Sequence, residues 1–145
     1  MDAAVAGAKK SKKYQDGDII SILPGFDPTE ASNQTDILIV TGLDLARNLI
    51  ISNSDALIAI GGGSGTLSEM AFGWALKRLI LAYEVEGWSG KLANIKIDRR
   101  VRYKEILDDR IYGIKTETEA LELLKKLLPL YIRYHHGVRQ RPIDP

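Results

Sequence analysis

The sequence predicts an α/β fold built on a parallel sheet, and three observations carry that prediction. Short apolar runs rich in β-branched residues recur along the chain, and helical patterns alternate with them. The third run ends in a glycine turn, Gly61-Gly62-Gly63-Ser64-Gly65-Thr66, that leads directly into a helix. Continuous rather than alternating apolar strands suit a parallel sheet covered on both faces. Strands alternating with helices imply βαβ units and a three-layer, doubly wound arrangement.

The first predicted element is a helix over Asp2–Lys13. Strands are predicted at Asp18–Leu23, Ile37–Thr41, Ala56–Ile60 and Arg78–Tyr83, with a weaker one at Arg110–Lys115. Helices are predicted at Leu43–Ser52, Leu67–Lys77 and Glu117–Tyr131. The last opens on Thr116-Glu117-Thr118-Glu119, a capping box in which Thr116 and Glu119 satisfy each other's backbone donors. Glu86-Gly87-Trp88-Ser89-Gly90 reads as a loop. Residues 1–134 read as one domain, and 135–145, with Arg139-Gln140-Arg141-Pro142, as a loose tail. A doubly wound domain ordinarily starts on its central strand, whereas this chain starts inside a helix.

Composition narrows the function classes. A chain of 145 residues with 45% apolar and 27% charged residues has ordinary globular usage. Twenty Lys and Arg face nineteen Asp and Glu, so net charge points to neither nucleic acid nor membrane. Lys9-Lys10-Ser11-Lys12-Lys13 reads as a solvated helix end. With no cysteine, disulfides, zinc ribbons and thiol chemistry are excluded. No apolar run approaches the roughly 20 residues of a membrane-spanning helix, and a cytoplasmic location is expected. His135-His136 lacks acidic or thiol neighbours at ligand spacing, so no metal site is expected.

Strand, glycine turn, helix start is the order that builds an anion site. Glycines let backbone N–H groups come close to a ligand, and the helix N-terminus adds partial positive charge. Gly61, Gly62, Gly63, Ser64, Gly65 and Thr66 are therefore the candidate phosphate-binding residues. A Walker loop would need Lys after Gly65, and Thr66 follows instead. The dinucleotide fingerprint G-x-G-x-x-G fits at Gly61 and Gly63 but meets Thr66 at its third glycine. Glu84, about 20 residues on, stands where a ribose-binding acid would.

The longer string Gly62-Gly63-Ser64-Gly65-Thr66-Leu67-Ser68-Glu69 resembles the Gly-Gly-x-Gly-Thr-x-x-Glu signature of the Lonely Guy proteins. These are also called "lysine decarboxylase-like" and are related to the DprA/Smf group. The resemblance runs to about Leu128 and is strongest to the branch containing molybdenum-cofactor carrier proteins. It implies a Rossmann-like fold, a homodimer or larger homo-oligomer, and a small-molecule nucleotide as ligand, with no required cofactor. Catalytic members are phosphoribohydrolases that release the base and ribose 5-phosphate from a nucleoside 5′-monophosphate. Carried over, the implied catalytic residues are Glu69 and Arg47, and Pro24-Gly25 resembles a second segment lining the cleft. A carboxylate near an oxocarbenium-like sugar would stabilise its developing charge, and Arg47 could clamp phosphate. The alternative is a non-catalytic carrier or sensor for molybdenum cofactor or another nucleotide-like ligand.

Simpler readings stand beside these. Thr66 and Glu69 fit a capping box, Arg47 a solvated helix residue, Trp74 a core position, and Trp88 a loop anchor or a lid. The chain also departs from the family pattern. Gly61 replaces a Pro, and Arg47-Asn48 stands where an Arg-Lys pair is usual, with Arg47 at the Lys position and Ala46 at the Arg. The resemblance further implies two strands and a second glycine loop before Met1. The expectation is thus a sheet lacking its first two strands, with a gap near its centre.

Overall fold

All five predicted strand runs form strands, and every pairing among them is parallel. The computed structural model describes residues 2–133, and the chain divides into two units with the boundary between Ile51 and Ser52. The strands form two sheets rather than one continuous ladder: two strands in the first unit and three in the second.

In the first unit, helix α1 (Asp2–Lys9) precedes strands β1 (Ile20–Leu23) and β2 (Ile37–Val40). It is shorter than predicted. Backbone N–H groups of Lys10 and Ser11 close onto the Gly7 and Ala8 carbonyls, three residues back, ahead of the remaining lysines. Ile20 pairs with Ile37 and Leu23 with Val40. The crossover between the strands carries only a 3-10 turn, Pro28–Glu30, whose start is capped by the Asp27 side chain.

Asp36 ties this unit together. Its Oδ1 accepts from the Lys9 ammonium and from the Tyr14 hydroxyl (2.7 Å), and its Oδ2 from the Ile19 N–H (3.0 Å). The Lys9 hydrogen bond, reinforced by those of Tyr14 and Ile19, holds the Asp36 carboxyl down at about 2. The predicted helix Leu43–Ser52 becomes a 3-10 turn, Asp44–Arg47, followed by the short α2 (Asn48–Ser52). Asp44 has φ +47°, a left-handed conformation that no regular α-helix can include.

The second unit contains β3 (Ala56–Ala59), α3 (Ser64–Ala75), β4 (Leu79–Tyr83), α4 (Trp88–Leu92), β5 (Tyr112–Ile114) and α5 (Glu117–Ile132). The strand order is β3-β4-β5. Side chains alternate along the central strand β4. Leu79 and Leu81 join Tyr112, Ile114 and the α5 residues Ala120, Leu127 and Tyr131 in one cluster, while Ile80 lies beside Gly73 of α3 with Leu57. Helices therefore cover both faces, and this unit has three layers. At the start of α5, Thr116 Oγ1 accepts from Glu119 N–H as predicted. The Glu119 carboxylate, however, takes the Lys115 N–H (2.6 Å), one residue before the cap.

An irregular segment between α4 and β5 is anchored by a buried ion pair. Arg102 Nε and Nη2 donate to the two Asp109 carboxylate oxygens (2.8 and 2.5 Å), and Nη1 donates to the carbonyls of Trp74 and Arg78. The guanidinium lies 3.7 Å from the Trp74 ring centroid, and Tyr131 donates its hydroxyl to Asp109 (2.5 Å). Burial, reinforced by Asp109, pushes the Tyr131 phenol well above its ordinary value.

Candidate functional site

Helix α3 starts at Ser64, three residues before the predicted start at Leu67, because Gly63 rather than Thr66 is its N-cap. Thr66 and Glu69 both lie inside the helix, so the Thr-x-x-Glu string is not a capping box here. As a glycine, this N-cap has no side chain with which to cap the helix. The first-turn amides of this 12-residue helix point out of its N-terminus, where the macrodipole favours an anion.

The glycines around this end have separate roles. Gly62 has φ +86°, and a Cβ there would sit 1.9 Å from the Thr66 hydroxyl oxygen. Thr66 thus folds back against Gly62, and only glycine fits. Gly63 differs: its φ is −99°, and a Cβ would meet nothing within 4 Å. The approach to the helix end is open at that residue, and Gly62, Gly63 and Ser64 are all exposed.

Gly61 faces the fold. Its N–H donates to the Ser89 hydroxyl (2.7 Å), and its carbonyl accepts from the Ser89 N–H (3.0 Å). The Gly62 carbonyl accepts from the Trp88 N–H (3.0 Å). The segment read as a loop at Glu86–Gly90 therefore contains the start of a helix, α4, bonded to the turn. Sequence reading missed the role of Ser89, and the one local hint was its place between two glycines.

Glu69 lies on α3, half-buried, and its backbone carbonyl accepts from the Ser52 hydroxyl (2.9 Å). The turn Gly61–Thr66 and Glu69 thus share one continuous segment of the second unit. Arg47, Pro24 and Gly25 belong to the first. Arg47 is half-buried at the end of the 3-10 turn. The Pro24 and Gly25 carbonyls accept from Asp44 and Gly42 N–H groups, both at 3.0 Å, which ties the end of β1 to the approach to Arg47.

A cavity of about 560 Å³ lies beyond the C-terminal end of β4, lined by residues including Glu84, Glu86, Gly87, Lys91 and Asn94. The C-terminal ends of parallel strands are where α/β folds bind ligands. Glu84, raised as a ribose-binding acid, is engaged: Oε1 accepts from Asn94 (2.8 Å), and Lys115 lies 3.5 Å from Oε2. Trp74 is core, stacked under Arg102, and the Trp88 ring carries the Lys91 ammonium at 4.8 Å. His135-His136 and the predicted tail lie outside the described residues. Among the described residues no helix is long and apolar enough to cross a membrane, and no group of three or more His, Cys, Asp or Glu could hold a metal.

Residues 1–112 match the sequence profile of the SLOG cluster4 family. The chain belongs to that family. The match agrees with the superfamily suggested by the glycine string and its Glu. Among solved structures, the chain is similar to the molybdenum cofactor binding protein of the phototrophic bacterium Rippkaea orientalis. The two are 30% identical with a TM-score of 0.66, over 88% of this chain and 71% of that one. It is also similar to TM1055, a structural genomics target, at 22% identity and a TM-score of 0.68, over 87% of this chain and 72% of that one; this likeness shows the Rossmann-like fold. An uncharacterised protein of Archaeoglobus fulgidus is 43% identical over 72 residues. That match spans 49% of this chain and 44% of the relative, less than half the length of either.

Proposed function

We propose that the chain binds a phosphate-bearing, nucleotide-like small molecule at Gly62–Thr66 and serves as a carrier or sensor. The observation that carries this reading is the open approach to the start of α3 at its N-cap Gly63, where a Cβ would meet nothing within 4 Å. Backbone amides and the helix dipole would supply the anion site. Molybdenum cofactor, which carries a phosphate, is one ligand of this class, and the similarity to the Rippkaea orientalis protein supports including it. The homo-oligomer implied by the family resemblance is part of the proposal, and sedimentation velocity measures it.

A second reading, hydrolysis of a nucleoside 5′-monophosphate, is favoured by one observation: Glu69 sits on the helix whose N-terminus would hold the phosphate. In that case its carboxylate would stabilise the sugar's developing positive charge; Arg47, the other residue implied by the resemblance, belongs to the first unit. Incubation with AMP separates the two readings. The carrier reading expects saturable binding with no free adenine. Adenine release that is abolished by Glu69→Gln would overturn it in favour of the hydrolase.

A further inference from the structure

We propose that Ser89 is the positioning residue of the phosphate-binding turn, acting through the backbone of Gly61; this rests on the proposed function above. Ser89 is fully buried, and its hydroxyl makes two bonds at once. It donates to the Tyr83 carbonyl at the end of β4 (2.7 Å) and accepts the Gly61 N–H (2.7 Å). One hydroxyl therefore fixes the turn that follows β3 to the end of the neighbouring strand.

The backbone of the same segment adds two more bonds. Trp88 and Ser89 N–H groups donate to the Gly62 and Gly61 carbonyls. Close approach makes this possible: Gly87 has φ +115°, and a Cβ on it would lie 2.6 Å from the Gly61 carbonyl carbon. The Gly61–Gly62 peptide is thus held from one side by three hydrogen bonds. The other side, at Gly63, stays open. Gly61 and Gly62 both sit at positive φ, a conformation that glycine also readily leaves, so the turn needs an external restraint to stay in one shape. A binding site made of backbone amides has its affinity set by how well those amides are held in place before the ligand arrives.

Ser89→Ala is expected to weaken AMP binding about tenfold, the worth of a well-made buried hydrogen bond. Ser89→Thr, which keeps the hydroxyl, is expected to recover most of it. Tyr112→Phe is the matched control, because it also removes a buried hydroxyl hydrogen bond but far along the chain from the turn. It should bind AMP as wild type does. Amide exchange followed by NMR reads the turn without any ligand: Gly61 N–H exchanges slowly in wild type and at least tenfold faster in Ser89→Ala. Unchanged AMP affinity in Ser89→Ala, or an equal loss in Tyr112→Phe, overturns the assignment. If wild type itself fails to bind AMP, the proposed function falls. Slow Gly61 exchange that Ser89→Ala accelerates would then leave Ser89 as the turn's restraint, and unchanged exchange would remove that too. Should the alanine variant not fold, fast Gly61 exchange in wild type is sufficient to refute the restraint.

Discussion

Strands β2 and β4 have nearly the same composition, Ile-Leu-Ile-Val against Leu-Ile-Leu-Ala-Tyr, and opposite environments. Residues 37–40 of β2 are each 37–44% exposed, whereas Leu79, Ile80, Leu81 and Ala82 of β4 are 0% exposed. The difference comes from neighbours rather than residues. β4 has a parallel strand on each side, α3 on one face and α5 on the other. Within its sheet β2 pairs with β1 alone, and the crossover into it contributes one 3-10 turn. An apolar β-branched run therefore says "strand", and only the layers around it decide how much stability that strand supplies.

The largest effect should come from the polar anchor of the well-covered unit. Asp109→Ala leaves the buried Arg102 charge without its carboxylate and takes the acceptor from Tyr131. It should cost about 3–5 kcal/mol in chemical denaturation. A loss below about 1 kcal/mol would show that water reaches this pair and that the unit is less closed than its burial implies.

Next comes the direct comparison of the two strands. Leu81→Ala should cost about 2–5 kcal/mol through lost burial and the cavity left behind. Ile39→Ala should cost about 1 kcal/mol or less, since much of its side chain is already in water. Equal losses would mean that β2 is covered in solution.

The smallest effect is a pH dependence in the first unit. The Asp36 carboxyl is held at about 2, below its ordinary 3.8, so its contribution is fully present above about pH 4 and is lost as pH falls through 2. Asp36→Asn should lower stability at neutral pH and flatten the acid limb between pH 4 and 2. Some slope should persist from Asp98, which Arg100 also holds at about 2. An unchanged acid limb in Asp36→Asn would mean that the Lys9 contact does not form in solution.

Much of the fold was legible because strands and long helices carry local patterns. The runs at Ile37–Thr41, Ala56–Ile60 and Arg78–Tyr83 and the capped helix after Thr116 are cases of this. The exceptions depend on contacts distant in sequence. Helix α4 begins in a Gly-Trp-Ser-Gly stretch that reads as a turn, and its first N–H groups bond to Gly61 and Gly62. Arg102 and Asp109 are seven residues apart in an irregular segment with no period that would reveal a pair. The split of Leu43–Ser52 follows from the left-handed Asp44, which a helical pattern does not show. For the candidate site, the glycine turn and the helix after it were legible from the order of residue types. The division between Gly61, held by Ser89, and Gly63, left open, was not, because it depends on what stands beside each glycine.

That division is tested by a calorimetric titration of wild type and Gly63→Val with AMP. At Gly63 φ is negative and the space above it is empty, so valine should leave the melting temperature within a few degrees of wild type while filling the approach to the α3 amides. Wild type should bind AMP saturably, and the folded Gly63→Val protein should lose that binding. Equal binding by the two proteins would contradict this and place the ligand elsewhere.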